Sequence, residues 1–201
     1  MRSRRASASS SEGAPSSASE CVSAALALAA ALLCVAVTRS VEAKVFHTQE
    51  EALALAFPTA DRTEKHTFIL TPEQRERIEA RARGALETRL VTLYTGWRGD
   101  EVLGYAHIDV HTVRTKSEGL MIVLDAAGRV RSLRVLAFHE PAEYLPAGRW
   151  YEQFRGKTLK DGLRVGRDIH GIVGATLSSR AATKGVRRML AYYEVLIRPP
   201  N

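Results

Sequence analysis

The sequence predicts an α+β fold in which an antiparallel β-meander packs with helices at both ends of the mature chain. Three observations predict it: two helix-start patterns near the amino end, four short β-rich runs in the middle, and a long amphipathic segment near the carboxyl end. The links between the β-rich runs are too short for parallel crossovers, which need about a dozen residues, so neighbouring strands are expected to be antiparallel.

Two helices are expected in the first part of the mature chain. Thr48 is followed at the capping-box spacing by Glu51, and Thr71 in the same way by Gln74. Pro72 then occupies the first position of the second helix, where its missing N–H costs nothing.

The middle of the chain predicts strands over residues 89–94, 103–113, 120–124 and 130–138. The separators are rich in glycine and polar residues, and residues 125–128 have the composition of a hairpin turn. An irregular, aromatic-bearing stretch follows. The last helix is expected over residues 178–196, where apolar residues recur at helical spacing and therefore predict a core face.

The first 43 residues have the pattern of an export signal. Arginines precede a polar stretch, residues 24–37 form an uninterrupted apolar run, and Val41 and Ala43 supply small residues for a cleavage site. A helix of that run would span about 21 Å, short of a hydrocarbon core of about 30 Å. The pattern therefore favours a cleaved signal peptide over a retained N-terminal membrane anchor.

Both cysteines of the chain, Cys21 and Cys34, lie in this leader. A mature chain without thiols excludes a disulfide scaffold, cysteine-ligated zinc, iron–sulfur clusters, thioether-linked haem and cysteine catalysis. The leader carries four basic and three acidic residues, so its removal lowers the formal net charge from +7 to +6. Because the remaining charges are of mixed sign along the chain, no nucleic-acid partner is expected.

Histidines are the remaining candidates for metal ligands. His107, Asp109 and His111 alternate along a predicted strand and share one face, but the two histidines lie about 13 Å apart, too far to bind one ion together. We expect a solvent-facing polar row there and no metal site. The sequence carries no hydrolase, P-loop or dinucleotide-binding motif, and no catalytic residue is predicted.

Residues 170–179, with the sequence HGIVGATLSS, precede the last helix. Gly174 and Ala175 come directly before Thr176, and small residues allow a ligand to approach the backbone closely. The N-terminus of a helix attracts an anion such as a phosphate. Taken alone, the same residues also fit an ordinary helix start capped by a serine. Basic side chains follow on this helix, most of them expected to face solvent: Arg180, Lys184, Arg187 and Arg188.

This segment resembles the flavinylation motif of the FMN-binding domain, which occurs in extracytoplasmic subunits of the sodium-translocating NADH:quinone reductase and the Rnf complex and in NosR-type regulators. The resemblance covers residues 103–196 and includes the segment His139-Glu140-Pro141. It implies FMN as the cofactor, joined by a flavin transferase through its phosphate to a threonine, which here is Thr176. His170 and Val173 stand where that motif usually has Asp and Ser or Thr.

The resemblance implies a set of cofactor-binding residues: Gly174, Ala175, Thr176, Leu177, Ser178 and Ser179 in the motif, with His139 and Glu140 at the end of the last strand. His139 and Glu140 fit a loop histidine and a surface acid equally well. Tyr144 and Trp150 could cover the flavin ring or pack their loop onto the core. The expected domains are residues 1–43, a signal peptide or anchor; residues 44–102, a helical and strand-bearing extension; and residues 103–201, an FMN-binding domain.

The expected function is that of an extracytoplasmic FMN-bearing electron carrier rather than a stand-alone enzyme. It would lie in the periplasm or on the outer face of the inner membrane, with a membrane electron-transport complex and a maturing flavin transferase as partners. A tethered flavin suits an exported carrier that lacks cysteine. The alternatives are an FMN-dependent reductase of a small substrate, with His139 as proton donor, and a non-redox binding or regulatory module that has lost its flavin.

Overall fold

The computed structural model describes residues 44–198, which fold around one antiparallel sheet. Its strands are β1 (Lys44–Val45), β2 (Arg62–Ile69), β3 (Leu90–Arg98), β4 (Glu101–Thr112), β5 (Ser117–Asp125) and β6 (Val130–Phe138). The order across the sheet is β1-β6-β5-β4-β3-β2, so the five long strands form a meander and the two-residue strand joins its far edge. The α+β class and the antiparallel meander are confirmed.

The edge strand β2 is not revealed by the sequence pattern. It pairs with β3 from Arg62 opposite Trp97 to Ile69 opposite Leu90. Most of its side chains are exposed, so it shows neither an apolar run nor the alternation of a half-buried strand. Its charged residues also disfavour pairing of this edge with another chain.

Within residues 44–198, three α-helices pack on the sheet: α1 (Gln49–Ala56), α2 (Pro72–Ala82) and α3 (Thr176–Tyr192). Both predicted capping boxes are confirmed, with Thr48 capping α1 and Thr71 capping α2. A π-helical turn, Tyr193–Ile197, continues α3. The connection between β6 and α3 contains three short 3-10 helices, Ala142–Tyr144, Gly148–Phe154 and Leu159–Asp161.

Apolar side chains cover both faces of the sheet. On β5, Leu120 and Ile122 face a larger core shared with α2 and α3, whereas Met121 and Val123 face a smaller core shared with α1. Burying each large aliphatic side chain contributes about 1.5–3 kcal/mol. The apolar positions that predict the face of α3 lie in the larger core, among them Ala182, Val186, Met189 and Leu190.

The ladder between β3 and β4 is incomplete. It runs from Arg98 opposite Glu101 to Tyr94 opposite Ala106, and no pair extends it further. A cleft of about 270 Å³ opens there, and Leu90 and Val110 are among its lining residues. Within residues 44–198, no helix is both long enough and apolar enough to cross a bilayer.

Candidate functional site

The N-terminus of α3 lacks a capping side chain. Its N-cap residue is Ala175, whereas α1 and α2 each begin with a threonine in a complete capping box. The first helical bond of α3 runs from the N–H of Ser179 to the carbonyl of Ala175. The N–H groups of Thr176, Leu177 and Ser178 have no acceptor in the described part of the chain. They offer hydrogen-bond donors and positive partial charge to an anion.

Thr176 occupies the first position of α3 and is exposed to solvent. Its Oγ1 donates to the carbonyl of Ile172 at 3.2 Å, which leaves the oxygen lone pairs facing outward. The preceding turn requires a glycine because Gly174 has φ +86°, although a Cβ there would meet no atom within 4 Å. Gly174 therefore serves the backbone conformation of the turn, and Thr176 is the accessible nucleophile at the helix start.

A shallow cleft lies against this helix start. It has a volume of about 160 Å³ and is lined by Val113, Arg114, Tyr144, Gly174, Ala175, Thr176, Leu177 and Ser178. Sites that enclose a drug-sized ligand usually measure about 300–1,000 Å³. The cleft can therefore hold a phosphate and one side of a larger molecule, while the rest of that molecule stays outside.

The wall opposite α3 is the turn between β4 and β5 together with Tyr144. The guanidinium of Arg114 lies 5.1 Å from the centre of the Tyr144 ring, a cation–π contact. No described residue that lines the cleft carries a carboxylate. The cleft thus joins one cationic side chain, the exposed hydroxyl of Thr176 and three free N–H groups, a donor set that suits a phosphate.

Glu140 holds this wall in place. Its Oε1 accepts hydrogen bonds from the N–H groups of Arg114, Thr115 and Lys116 at 3.1, 2.7 and 2.8 Å. The bonds from Thr115 and Lys116 hold the pKa of the Glu140 carboxyl below its ordinary value. His139 lies beside it, with Nδ1 3.0 Å from the Ser117 carbonyl oxygen. Among the described residues, neither side chain lines the cleft, and Glu140 acts on it by positioning Arg114.

The remaining predicted residues divide between the cleft and the helix interior. Leu177 lines the cleft and is 45% exposed. Ser178 also lines it, but its Oγ donates to the carbonyl of Tyr144 at 2.6 Å and so ties α3 to the opposite wall. Ser179 is fully buried, and its Oγ donates back to Ala175 at 2.9 Å.

The 3-10 helix Gly148–Phe154 anchors the segment before the motif. Trp150 donates through Nε1 to the His170 carbonyl at 2.7 Å, and the N–H of His170 donates to Gln153 at 2.7 Å. Trp150 is 7% exposed and packs edge-to-face against Phe154. Of the two aromatic candidates, Trp150 packs its loop onto the core, whereas Tyr144 lies at the cleft.

A buried charged network beneath α3 corrects one expectation from the sequence. Asp109 accepts two bonds from Arg188, at 2.9 and 2.6 Å, and its Oδ2 lies 2.7 Å from His111 Nδ1. His111 Nε2 lies 3.0 Å from Glu118. The expected solvent-facing row is wrong, since Asp109, His111 and Glu118 are 4%, 8% and 0% exposed. Helix α3 covers this face of β4 and supplies Arg188 as the counter-charge.

The hydrogen bonds within the network favour the charged forms of His111 and Asp109. Burial opposes a proton on His111, but the hydrogen bonds to Asp109 and Glu118 outweigh it and raise the pKa of His111 to about 9. Burial likewise opposes ionisation of Asp109, yet bonds from His111 and Arg188 hold its pKa well below the ordinary range. The network ties α3 to β4 and β5 and so fixes the helix that carries Thr176. Within residues 44–198, no group of three or more His, Cys, Asp or Glu is arranged to hold a metal ion.

Comparison with known proteins finds a match for the part of the chain that carries Thr176 and most of the cleft. Residues 116–191 match the family model described as FMN-binding domain. No curated protein matches the chain. The matched segment contains β5, β6, Glu140 and α3 as far as residue 191, and therefore Thr176 and its uncapped helix start. The donor set of the cleft fits the phosphate of FMN. Over residues 116–191, this chain is similar to the FMN-binding domain family.

Proposed function

We propose that the protein is an extracytoplasmic electron carrier whose FMN is joined through its phosphate to Thr176. One observation carries the proposal: within the segment of the FMN-binding family, an exposed threonine hydroxyl stands at a helix start whose first three N–H groups are free. These N–H groups and Arg114 would hold the phosphate oxygens.

The tether would form by substitution at phosphorus. The Oγ1 of Thr176 would form a P–O bond and release its proton to solvent, while the phosphoanhydride bond of an activated flavin dinucleotide would break and its nucleoside monophosphate would leave. An activated donor is needed because direct condensation of FMN with a hydroxyl has water as a product, and the equilibrium of such a reaction in aqueous solution favours hydrolysis. A flavin transferase is proposed as the enzyme of this step. The bond from Thr176 to the Ile172 carbonyl aims the hydroxyl without burying it.

The shape of the cleft favours a covalent tether over free binding. A cleft of about 160 Å³ covers one side of a flavin and leaves the remainder in solvent. Non-covalent affinity rests on desolvated contact, so a cofactor covered on one side would dissociate readily. A phosphoester bond would prevent this dissociation in a carrier that works outside the cytoplasm.

When bound, the isoalloxazine supplies the electron-transfer chemistry, and the protein supplies position and electrostatics. Leu177 offers an apolar side chain and Tyr144 an aromatic ring at the cleft. Ser178 keeps the two walls together through its bond to the Tyr144 carbonyl. The open side leaves room for a redox partner to approach.

The export-type leader supports a location in the periplasm or on the outer face of the inner membrane. It lies outside the described residues. A membrane electron-transport complex is the proposed partner, since a tethered flavin with one open side suits exchange with a second redox protein rather than turnover of a substrate in an enclosed pocket.

Co-expression with a flavin transferase tests the tether. After denaturation, the protein is expected to fluoresce in a gel and to show the mass increment of an FMN phosphoester. Thr176→Ala should abolish both signals, and Thr176→Ser should retain them because the hydroxyl remains. Thr71→Ala is the matched control, because it removes a helix-start threonine elsewhere and should leave labelling unchanged.

Fluorescence that survives Thr176→Ala would overturn the covalent assignment. FMN that stays on the native protein and is lost on denaturation would instead identify a non-covalent binding module. No flavin in either state would favour the module that has lost its cofactor.

A further inference from the structure

Exposed aliphatic side chains gather at one end of the domain. Seven large hydrophobic residues are strongly exposed among the described residues, and six of them lie at the end of the sheet where β4 turns into β5. We call these six the apolar end: Val45, Ile69, Leu90, Val110, Val173 and Leu177. The seventh, Leu55, lies on α1 and outside this end.

Strand pairing places four of the six in two groups, which meet at the cleft that Leu90 and Val110 both line. Ile69 ends β2 and pairs with Leu90, which begins β3. Val110 pairs with Gly119, Gly119 with Ala137, and Ala137 with Val45. Ile69, Leu90, Val110 and Val45 are 72%, 56%, 66% and 66% exposed. Aliphatic side chains therefore lie at this end from one sheet edge to the other.

The other two members flank the proposed flavin site. Val173 is fully exposed, at 102% of its reference area, and Leu177 is 45% exposed. Leu177 lines the cleft with Val113 and Arg114 of the turn that follows β4. The apolar end and the open cleft thus share one end of the molecule.

The opposite end of the sheet is polar. Its β3–β4 hairpin carries an exposed ion pair between Arg98 and Glu101 at 2.6 Å. Asp61 accepts a hydrogen bond from the N–H of Gly99 in the same hairpin. The two ends therefore differ in the chemistry that they present to a partner.

Cations accompany the apolar end. Arg89 precedes Leu90, and Arg114 and Lys116 lie in the β4–β5 turn. None of the three forms an ion pair with a described carboxylate, although Glu87 and Glu143 are exposed nearby in the chain. Aliphatic groups beside unpaired cations suit an anionic lipid headgroup layer.

The apolar end also includes Val45, which lies close in sequence to the leader. The apolar run of the leader ends at Val37, and seven residues separate it from Val45 of the apolar end. Those residues span at most about 25 Å when fully extended. If the leader were kept as an anchor, Val45 would lie at most about that distance from the end of the apolar run.

We propose that the apolar end docks on an anionic lipid surface, with its aliphatic side chains against the acyl region and Arg89 and Lys116 at the headgroups. This inference rests on the proposed extracytoplasmic function and names the surface on which it operates. The docked orientation holds the cleft of Thr176 close to the membrane and turns the β3–β4 hairpin away from it.

Fluorescence quenching by lipids tests this orientation on the full chain. With Cys21→Ser and Cys34→Ser as background, an environment-sensitive fluorophore is attached at Thr112→Cys, beside the apolar end, or at Asp100→Cys, in the opposite hairpin. Vesicles contain phosphatidylglycerol, phosphatidylethanolamine and a nitroxide-labelled lipid. The fluorophore at position 112 should be quenched and that at position 100 should not.

The combined variant Ile69→Ser, Leu90→Ser and Val110→Ser should raise the lipid concentration needed for quenching about tenfold or more. Leu55→Ser is the control, because it removes an exposed aliphatic side chain that lies outside the apolar end, and it should leave quenching unchanged. Arg89→Gln with Lys116→Gln should raise that concentration by roughly tenfold, and added salt should have the same effect.

Equal quenching at both positions, or quenching that the combined variant leaves unchanged, would show that the leader alone holds the protein and would overturn the proposal. Quenching that requires a membrane protein in the vesicles would overturn it in favour of a protein partner. If the combined variant does not fold, Val173→Ser replaces it, since that side chain makes no buried contact; it should weaken quenching about threefold. These readouts need no flavin, so their failure is distinct from a failure of flavin attachment.

Discussion

Gly185 of α3 lies directly over the carboxylate of Asp109: a Cβ on Gly185 would meet Oδ2 at 2.6 Å. The helix can approach β4 this closely only because residue 185 has no side chain. The close approach lets Arg188, almost one turn later, make its two bonds to the same carboxylate. A glycine in mid-helix thus belongs to the buried charged network.

Gly185→Ala should therefore destabilise the protein. Alanine favours a helix by about 1 kcal/mol over glycine, but the clash with Asp109 costs about 1–3 kcal/mol and also disturbs a buried ion pair. We expect a net loss of about 1–2 kcal/mol in urea unfolding. Gly148→Ala is the control, because a Cβ there meets nothing within 4 Å. A stabilising Gly185→Ala would contradict the close packing described.

Removing the charge of the buried Asp109 should lower the free energy of unfolding far more than removing the charge of an exposed carboxylate. Asp109→Asn leaves Arg188 without its buried carboxylate partner and leaves His111 with Glu118 alone, and we expect a loss of about 3–5 kcal/mol. The pair between Arg98 and Glu101 has the same 2.6 Å separation but is exposed, so Glu101→Gln should cost at most about 1 kcal/mol. Chemical denaturation of both variants measures the difference, and equal losses would contradict the role of burial.

The network should make stability depend on pH at alkaline values. The pKa of His111 is raised in the folded protein to about 9, above its ordinary value of about 6.5. Its contribution is therefore fully present below pH 6.5 and is lost as the pH rises through 9, a change of about 3 kcal/mol. Unfolding free energies of the wild type and His111→Gln should converge between pH 7 and 10. A constant difference would rule out this titration.

Glu140 should control the turn that carries Arg114. Glu140→Gln weakens the bonds to the three N–H groups of residues 114–116, and amide hydrogen exchange there should quicken by roughly tenfold. Glu143→Gln, an exposed change nearby, is the control. In flavin-loading experiments, Glu140→Gln should lower the yield of labelled protein with Thr176 intact. Unchanged exchange at residues 114–116 would contradict the positioning role.

Local patterns account for the parts of the fold that the sequence predicts. The capping boxes of Thr48 and Thr71 are contacts between residues three apart, so a short window contains both partners. The 125–128 turn is equally local, closed by the bond from the Gly128 N–H to the Asp125 carbonyl. The strand β2 is not predicted because its sequence has no apolar pattern of its own. Its conformation is determined by its pairing with β3.

The candidate site shows the same division. The motif around Thr176 is contiguous and marks the helix start. Asp109 and Arg188 lie 79 residues apart, and Glu140 acts on a turn 24 to 26 residues before it. Such partners become visible only when the topology stacks α3 on β4 and places β6 beside β5. The alternation of His107, Asp109 and His111 identifies a shared face correctly but does not say what covers it.

The uncapped start of α3 has a consequence for the life of the protein before maturation. Completing a helix start with a hydrogen-bonding cap is worth about 1 kcal/mol, and an anion at a helix N-terminus adds up to about 2 kcal/mol. On the proposed function, newly exported chains lack this contribution until the flavin phosphate arrives. Chains without the flavin phosphate would have a lower free energy of unfolding and would therefore be degraded faster by proteases. The same helix turn would then determine both flavin attachment and the lifetime of the unloaded protein.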